Sequence, residues 1–382
     1  MPNHAANLTP SSTLHDQERI FVRVFSLLEQ AIRERAFPGA SLAVVYRDEL
    51  VASWAVGRFT YDAASTRVIP ATVFDLASVT KVLATTTMAM ILHERDLLPL
   101  DTPVVDLLPE LGLTPDGKPS DDLRRRQVTV RMLLAHSAGL ADYEKLFLRA
   151  STAKDLLRLA LTSPLVAPPL SRACYSDIGF IVLGELLARI AKEPLDQFCR
   201  REIFQPSGMK TACFCPPAEL RAAIPPTQDD RDFRMRIIQG DVNDENASVM
   251  GGVAGHAGLF ANALDVACFG QCMLNGGSPI LRPETVRLFT TRQAEPPGTS
   301  RALGWDTPSL PSQSGRRFSP SSFGHLGYTG TSLWCDPERR LAVVLLTNRT
   351  WPDRSTQEIK RVRPLVHDAI VDAIELHDEL RK

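Results

Sequence analysis

Three positions in the chain place a serine three residues before a lysine, a spacing that can pair a nucleophile with a base. These pairs are Ser78/Lys81, Ser151/Lys154 and Ser207/Lys210. On a helix, residues three apart share a face, so the lysine amine can reach the serine hydroxyl. A serine hydroxyl is activated when a neighbouring base takes its proton, and burial prepares lysine for that role by lowering its pKa.

Sequence context separates the first pair from the other two. The apolar run at residues 82–92 predicts a buried helix behind Ser78, which would shield the lysine amine from water. Ser151 opens a segment that alternates charge with leucine, so we expect a surface helix with an N-cap there. Ser207 follows a proline and is expected in a turn. Spacing and context alone fit Ser78 equally to a catalytic serine and to the N-cap of a core helix.

Two further motifs complete a pattern with Ser78. Tyr175-Ser-Asp177 begins a helical segment, and His325-Leu-Gly327 leads into a predicted strand at residues 331–336. In this order and at these separations, the three motifs resemble those of the serine β-lactamase and penicillin-binding-protein superfamily. The resemblance is strongest to its class C β-lactamase-like, esterase-type branch. Further stretches that match this branch lie at residues 37–39, 133–140, 251–258 and 330–334.

The resemblance implies catalytic roles for four residues. Ser78 would be the acylated nucleophile, and Lys81 would be its proton acceptor or electrostatic partner. Tyr175 would pass the proton to the leaving group or activate the deacylating water. The backbone N–H groups of Ser78 and Tyr328 would hold the oxyanion. The resemblance implies neither a metal nor any other cofactor.

The substrate-binding residues implied by the resemblance are Asp177, His325 and Gly327, and the motifs around them depart from the usual pattern. Asp177 stands where asparagine is usual, so we expect its carboxylate to raise the pKa of Lys81 and shift the base role toward the tyrosine. His325 replaces the lysine of many members with a group that titrates near neutrality. Leu326 stands where penicillin-handling members have a hydroxyl residue that grips a substrate carboxylate.

Two rival patterns fit less well. Residues 135–139 approach the Gly-x-Ser-x-Gly elbow of α/β-hydrolases, with Ser137 as nucleophile, but an elbow needs a preceding strand and a helical pattern precedes this one. Residues 241–245 have acidic spacing similar to a calcium loop, yet they lack its glycine and bidentate glutamate, so we expect a solvated or cleft-lining loop. His136 and His256 are expected to be hydrogen-bonded structural residues.

Composition limits the classes of protein to which the chain can belong. Its 382 residues are 44% hydrophobic and 23% charged, which is typical of a globular protein with a large core. A net charge of −1 predicts no nucleic-acid partner, and Arg124-Arg125-Arg126 is expected in a solvated loop. We see no secretory signal and no membrane-spanning run, and seven cysteines fit free thiols in a reducing compartment. A cytoplasmic location is therefore expected.

Periodicity predicts an α+β fold. Expected helices and strands near the two ends of the chain are a helix at 16–35, strands at 40–46 and 50–56, strands at 331–336 and 341–347, and a helix at 359–380. Strands at both ends with a helical middle predict one antiparallel sheet assembled from the two chain ends and flanked by helices.

The same pattern predicts the domain organisation. Residues 1–14 are expected to form a loose tail. Residues 15–77 and 285–382 would form the sheet lobe, and residues 78–284 an inserted, mostly helical lobe. The two lobes would make a single catalytic unit.

These observations predict a cofactor-independent serine hydrolase that forms an acyl-enzyme on Ser78, with a small ester or amide as substrate and a carboxylesterase as the first hypothesis. The alternatives are a D-amino-acid-specific peptidase or carboxypeptidase, a weak β-lactamase, an acyltransferase, and a non-catalytic protein that binds penicillin or peptidoglycan fragments. The sequence does not identify the acyl group or the oligomeric state.

Overall fold

The computed structural model describes residues 8–380. Its strands are β1 (Thr9–Pro10), β2 (Gly39–Tyr46), β3 (Glu49–Gly57), β4 (Phe74–Asp75), β5 (Cys213–Phe214), β6 (Gln228–Asp230), β7 (Arg236–Ile238), β8 (Leu259–Ala261), β9 (Phe323–Leu326), β10 (Ser332–Asp336) and β11 (Leu341–Thr347). Its α-helices are α1 (Gln17–Ile20), α2 (Val22–Arg33), α3 (Thr87–Glu94), α4 (Val104–Leu107), α5 (Val130–Leu134), α6 (Ala153–Leu161), α7 (Asp177–Ala191), α8 (Leu195–Cys199), α9 (Glu245–Val249), α10 (Ala263–Leu274), α11 (Pro283–Thr290) and α12 (Ile359–Glu379).

The largest sheet joins the two ends of the chain. Its six strands run in the order β1-β3-β2-β11-β10-β9. β1 is parallel to β3, and the other neighbouring strands are antiparallel. The central pair is β2 with β11, in register from Ala40 opposite Thr347 to Tyr46 opposite Leu341. The predicted α+β class, with one sheet made from both chain ends, is therefore confirmed.

Both faces of this sheet are covered by helices. Leu42 and Val44 of β2 pack in one core with side chains of α2 and α12. Ala43 and Val45, which point to the other face, pack in a second core with α10 and the helical middle of the chain. A strand that is buried on both faces is apolar throughout. This arrangement explains the unbroken apolar run that marks β2 in the sequence.

The tail predicted at residues 1–14 is wrong for the part that the structure describes. β1 pairs with β3, and the Ser11 N–H donates to the Leu50 carbonyl at 3.1 Å. A 3₁₀ turn at Ser12–Asp16 then leads into α1. Residues 1–7 of the predicted tail lie outside the described residues.

The middle of the chain contains short strands that the sequence did not predict. β4, β8 and β5 form a three-stranded sheet, and β6 pairs with β7. The Leu76 N–H, directly after β4, donates to the Leu259 carbonyl at 2.9 Å. The small sheet therefore supports the chain two residues before Ser78.

The chain after β4 is not the single regular helix that the sequence predicts. Ala77–Val79 form a 3₁₀ turn, and residues Lys81–Thr86 form a wider π-helix that continues into α3. Ala77 has a φ of +47°, which is unfavourable for a residue with a side chain. The Asp75 carboxylate accepts the Ala77 N–H at 2.8 Å and holds this turn in place. Strained turns and π-helical segments are frequent at functional sites.

All seven cysteines are free thiols, as predicted. Within residues 8–380, no helix is both long enough and apolar enough to cross a membrane.

Candidate active site

Ser78 and Lys81 meet as the spacing predicts. The Ser78 Oγ lies 2.9 Å from the Lys81 Nζ, and the lysine side chain is fully buried. Two further partners of Nζ are the Asp177 carboxylate at 2.6 Å and the backbone carbonyl of His256 at 2.9 Å. These two partners can only accept hydrogen bonds. A neutral lysine amine donates to both of them, and its lone pair then points at the Ser78 hydroxyl.

The pKa of Lys81 is set by opposing effects. Burial lowers it from the ordinary value, because the charged form loses its hydration. The negative charge and hydrogen bond of Asp177 oppose this effect, and the result is a lowered pKa. The Asp177 carboxylate lies beside the amine and raises the pKa of Lys81, as predicted, but the opposing effect of burial is larger.

Tyr175 lies beside Lys81 and lines the cleft. Its ring centroid is 4.9 Å from the Lys81 Nζ, and it lines the same cavity as Ser78 and Asp177. Burial and then the Asp177 charge raise the pKa of Tyr175 well above its ordinary value. The phenol is therefore protonated near neutral pH and can donate a proton.

The start of α7 fixes the position of this tyrosine. Ser176 is the N-cap, because its Oγ accepts the Gly179 N–H at 3.0 Å and donates to the Ala141 carbonyl at 2.6 Å. The Ser176 N–H donates to His136 Nδ1 at 3.0 Å, and the His136 ring lies 4.7 Å from that of Tyr175. His136 is thus a hydrogen-bonded structural residue, as predicted.

The turn between β9 and β10 is tied directly to the Ser78 segment. Thr329 donates its hydroxyl to the Asp75 carbonyl and Thr331 donates to the Leu76 carbonyl, both at 2.8 Å. An added Cβ at Gly327 would lie 2.4 Å from the Leu76 carbonyl oxygen, so this close approach requires glycine. Tyr328 lies within this turn, and its N–H has no backbone partner among residues 8–380.

His325 differs from its predicted behaviour. It lines the cleft, but its side chain is buried and its Nδ1 lies 2.8 Å from the Leu326 carbonyl. Burial, followed by the charges of Lys81 and Arg301, holds the pKa of His325 well below its ordinary value. The ring is therefore neutral near pH 7, and the prediction of a group that titrates near neutrality is wrong.

Ser78, Tyr175, Asp177, His325 and Gly327 line one cavity of about 800 Å³. Acidic residues on its lining are Asp142, Asp177, Asp244, Glu245 and Asp306, and basic residues are Arg301, Arg349, Arg354, Lys360 and Arg363. The predicted cleft-lining position of residues 241–245 is confirmed for three of them, Asn243 to Glu245. Within residues 8–380, no group of three or more His, Cys, Asp or Glu side chains lies close enough together to hold a metal ion.

The sequence matches the model of the family described as Beta-lactamase over residues 24–367, a span that contains all of these site residues. The chain belongs to the beta-lactamase family. It is a serine hydrolase with the fold of that family, and the resemblance inferred from its motifs is confirmed.

Curated relatives share this family and most of the chain. One is a protein of Escherichia coli (strain K12), named as a candidate D-alanyl-D-alanine carboxypeptidase, which is 30% identical over 349 residues. The match covers 82% of this chain and 79% of the relative. Another is the N-acetylmuramyl-L-alanine amidase of Bacillus subtilis (strain 168), 32% identical over 364 residues, with 86% and 80% covered.

Solved structures of other beta-lactamase-like proteins share the fold. EstCE1, described as a hydrolase with promiscuous acyltransferase activity, superposes with a TM-score of 0.74 at 23% identity. It covers 93% of this chain and 99% of its own. A penicillin-binding protein homologue from Caulobacter crescentus has a TM-score of 0.71 at 18% identity, with 96% and 99% covered.

The other serines considered as nucleophiles lie outside the cavity of this beta-lactamase family member. Ser151 and Lys154 are exposed, and the neighbouring Thr152 caps α6. Ser207 is buried and donates to a backbone carbonyl in the preceding turn. Ser137 is buried shortly after α5, with no strand before it, so it does not form a nucleophile elbow.

Two parts of the site were missed by the sequence reasoning. Arg301 lies in an irregular loop, yet its guanidinium carbon is 5.4 Å from the Tyr175 ring centroid. Asp244 pairs with His256, whose backbone carbonyl accepts from Lys81. The glycine-rich stretch around His256 was visible in the sequence, but nothing in it showed which side chain the histidine would meet.

Proposed function

We propose that Ser78 is acylated by a small amide or ester substrate and that Lys81 is the base for this step. The Ser78 Oγ attacks the carbonyl carbon while its proton moves to the Lys81 Nζ. The N–H groups of Ser78 and Tyr328 bind the oxygen that becomes negative. This assignment is supported by the 2.9 Å distance between Lys81 Nζ and Ser78 Oγ and by the lowered pKa of Lys81.

In this proposal Tyr175 carries the proton onward. Its protonated phenol donates to the leaving amine or alcohol as the tetrahedral intermediate collapses, and it recovers a proton from the Lys81 ammonium. Water then attacks the acyl-enzyme, and its proton follows the reverse route to the Ser78 oxygen as the acyl group leaves. The high pKa of Tyr175 supports the role of proton donor over that of a resting phenolate base.

We infer that the substrate is a small cell-wall-type peptide whose scissile amide lies near a carboxylate. The observation that carries this inference is Arg301, which lines the cavity beside Tyr175. Its side chain is 22% exposed and is 3.6 Å from Asp306, a long ion pair that leaves donors free for a ligand. Guanidinium groups bind carboxylates in a forked geometry. The names of the curated relatives, a carboxypeptidase and an amidase, support an amide substrate.

A neutral ester is the second candidate substrate. Leu326 lines the cavity and provides no hydroxyl for a substrate carboxylate, and the neutral His325 provides no cation. Both features favour an uncharged acyl group on that side of the cleft.

A comparison of two substrates with single-residue variants tests the proposal. The full chain would be assayed with a D-alanyl-D-alanine peptide and with p-nitrophenyl acetate, and acylation would be followed by intact-protein mass spectrometry. Ser78→Ala should abolish turnover and the adduct, whereas Ser137→Ala should retain both. Retained turnover in Ser78→Ala would refute the acyl-enzyme.

The same pair of substrates tests the role of Arg301. A hydrogen bond to a charged group contributes about 1.5–3 kcal/mol, so Arg301→Gln should lower kcat/KM for the peptide by about 10- to 100-fold. The kcat/KM for the ester should fall far less. The matched control is Arg287→Gln on the exposed face of α11. Wild-type turnover of the ester without turnover of the peptide would replace the amide proposal with the second candidate.

A further inference from the structure

A buried histidine and a carboxylate lie behind Lys81 and are not used by the proposed reaction. His256 Nε2 is 2.7 Å from Asp244 Oδ1, and the backbone carbonyl of the same histidine accepts from Lys81 at 2.9 Å. The His256 side chain is 1% exposed and does not line the cavity. It therefore touches the site only through its own main chain and through Asp244.

The main chain on either side of this carbonyl is held firmly. The neighbouring Gly255 carbonyl accepts the Thr85 hydroxyl at 2.7 Å. An added Cβ at Gly255 would lie 2.1 Å from the Phe180 carbonyl oxygen, so this segment packs directly against α7. The peptide before His256 is thus fixed by packing, and the hydrogen bond of the His256 side chain adds a further restraint on its carbonyl.

Asp244 is the hydrogen-bond partner that restrains the His256 side chain, and Asp244 also lines the cavity. Its Oδ1 accepts both from His256 and from the Ala247 N–H at 2.7 Å, which caps α9. Although burial opposes ionisation, the pairing with His256 lowers the pKa of Asp244 to about 2. A carboxylate can only accept, so His256 Nε2 carries the proton. His256 Nδ1 is buried and has no partner among the described residues.

We propose that the Asp244–His256 pair is a positioning device that fixes the His256 carbonyl and so aims the Lys81 lone pair at Ser78. This inference rests on the proposed function, since it assumes that Lys81 is the base. A carbonyl that is free to rotate would let Lys81 donate elsewhere, and the amine would then spend less time oriented as a base. Misplacement of a reacting group by about 1 Å can cost about 10²-fold in rate.

Asp244 also acts on Lys81 directly through its charge, an effect that a purely structural residue would lack. The charged and titratable groups that face Lys81 are Asp177, Asp244, Tyr175, Arg301, His136 and His325. Asp244 stabilises the ammonium form of Lys81. Its replacement by a neutral residue should therefore move the acid limb of kcat/KM to lower pH, because that limb reports the pKa of the free enzyme's base.

The experiment uses the full chain and p-nitrophenyl acetate. We expect His256→Ala to lower kcat by about 10- to 100-fold with KM within about twofold. His256→Gln keeps a donor for Asp244 and should recover most of that loss. Asp244→Asn should move the acid limb to lower pH. The matched control is His367→Ala, which removes a fully buried histidine of α12 that contacts the Gln313 carbonyl and should leave the acid limb unmoved.

The outcomes separate this inference from the proposed function. Absence of an adduct on Ser78 in the wild-type chain would refute the proposed function itself. Normal acylation of Ser78 combined with wild-type kcat in His256→Ala would overturn only the positioning role. An equal loss of kcat in the alanine and glutamine variants would also overturn it. If His256→Ala does not fold, wild-type kcat in Asp244→Ala, which removes the hydrogen-bond acceptor of His256, overturns the inference.

Discussion

Lys81 has three hydrogen-bond partners, and their chemistry decides what the lysine can do. Asp177 and the His256 carbonyl accept only, whereas the Ser78 hydroxyl can donate or accept. As an ammonium, the lysine satisfies all three partners. After it loses one proton, the same geometry is still satisfied if Ser78 becomes the donor. The site can thus change its protonation state without moving a heavy atom.

Lys81 and Tyr175 should act as one unit in proton transfer. We expect Lys81→Ala and Tyr175→Phe each to reduce kcat/KM by about 10²–10⁴-fold, the scale of general acid–base catalysis. The double variant should lose little more than the worse single variant, because each residue passes its proton through the other. A loss in the double variant equal to the product of the two single losses would show independent action.

Asp177→Asn tests how the carboxylate sets the pKa of Lys81. The substitution keeps a hydrogen-bond acceptor but removes the charge that favours the ammonium form. The pKa of Lys81 should fall, so the acid limb of the kcat/KM profile should move to lower pH. A limb that stays in place would contradict the effect of the Asp177 charge on Lys81.

At the residue scale, the sequence predicted the site residues that belong to a recognisable motif. It missed the site residues that lie outside any motif. Ser78, Lys81 and Tyr175 were identified because spacing and order along the chain mark them. Arg301 was missed because its position beside Tyr175 depends on how an irregular loop folds. The Asp244–His256 contact was missed because the two residues lie in separate loops. Neither loop has a sequence pattern that shows which other loop it contacts.

At the scale of elements, the turn between β9 and β10 determines where the proposed oxyanion site lies. An added Cβ at Gly327 would lie 1.9 Å from the Thr331 Oγ1 and 2.4 Å from the Leu76 carbonyl oxygen. Such distances force the turn away from the Ser78 segment. The Tyr328 N–H would move with it.

Gly327→Ala should therefore reduce kcat more than stability. A loss of about 10²–10³-fold in kcat is the scale for removing one oxyanion donor. The matched control is Gly112→Ala, where an added Cβ would meet its nearest neighbour at an ordinary 3.8 Å. Wild-type kcat in Gly327→Ala would exclude Tyr328 as an oxyanion donor.

The elements that the sequence missed are the short ones. β4 and β5 have two residues each and β8 has three, so none of them is long enough to show a period of two. The π-helical segment was missed for another reason. Its residues Lys81–Thr86 are all buried, so no change of face marks the wider turn.

At the scale of the whole molecule, Asp75 connects three distant parts of the chain. Its carboxylate accepts from Ala77 at 2.8 Å and from the Asn243 N–H at 2.6 Å, and its backbone carbonyl accepts from Thr329 at 2.8 Å. Complete burial of the carboxylate raises its pKa from an ordinary 3.8 to about 6. The residue that joins the catalytic turn to the cleft loop is thus also sensitive to pH.

Asp75 should make stability depend on pH in a defined window. A raised pKa stabilises the fold below pH 3.8, and this contribution is lost as the pH rises through about 6. The gap between the two values corresponds to about 3 kcal/mol. Between pH 4 and pH 7, the Tm of the wild-type chain should therefore fall relative to that of Asp75→Asn in calorimetry. Parallel Tm curves would contradict the raised pKa.

The packing of the whole chain also contradicts, for Arg125, the prediction that Arg124-Arg125-Arg126 lies in a solvated loop. Arg125 was expected in a solvated loop but is 4% exposed, and it donates to the carbonyls of Leu111, Leu161, Thr162 and Ser163. The neighbouring Arg124 pairs with Asp122 at the surface. A sequence of three arginines does not show which of them will meet carbonyls contributed by distant segments.

The pairing of β2 with β11 also bears on how the protein is made. β2 leaves the ribosome long before β11, the strand that completes the centre of its sheet, has been made. Until then the apolar hairpin of β2 and β3 has an open edge, and open apolar edges promote aggregation. The turn that holds Tyr328 also depends on β10 and β11. A nascent chain that still lacks these strands has no assembled site, so hydrolytic activity arises only after β11 has been made.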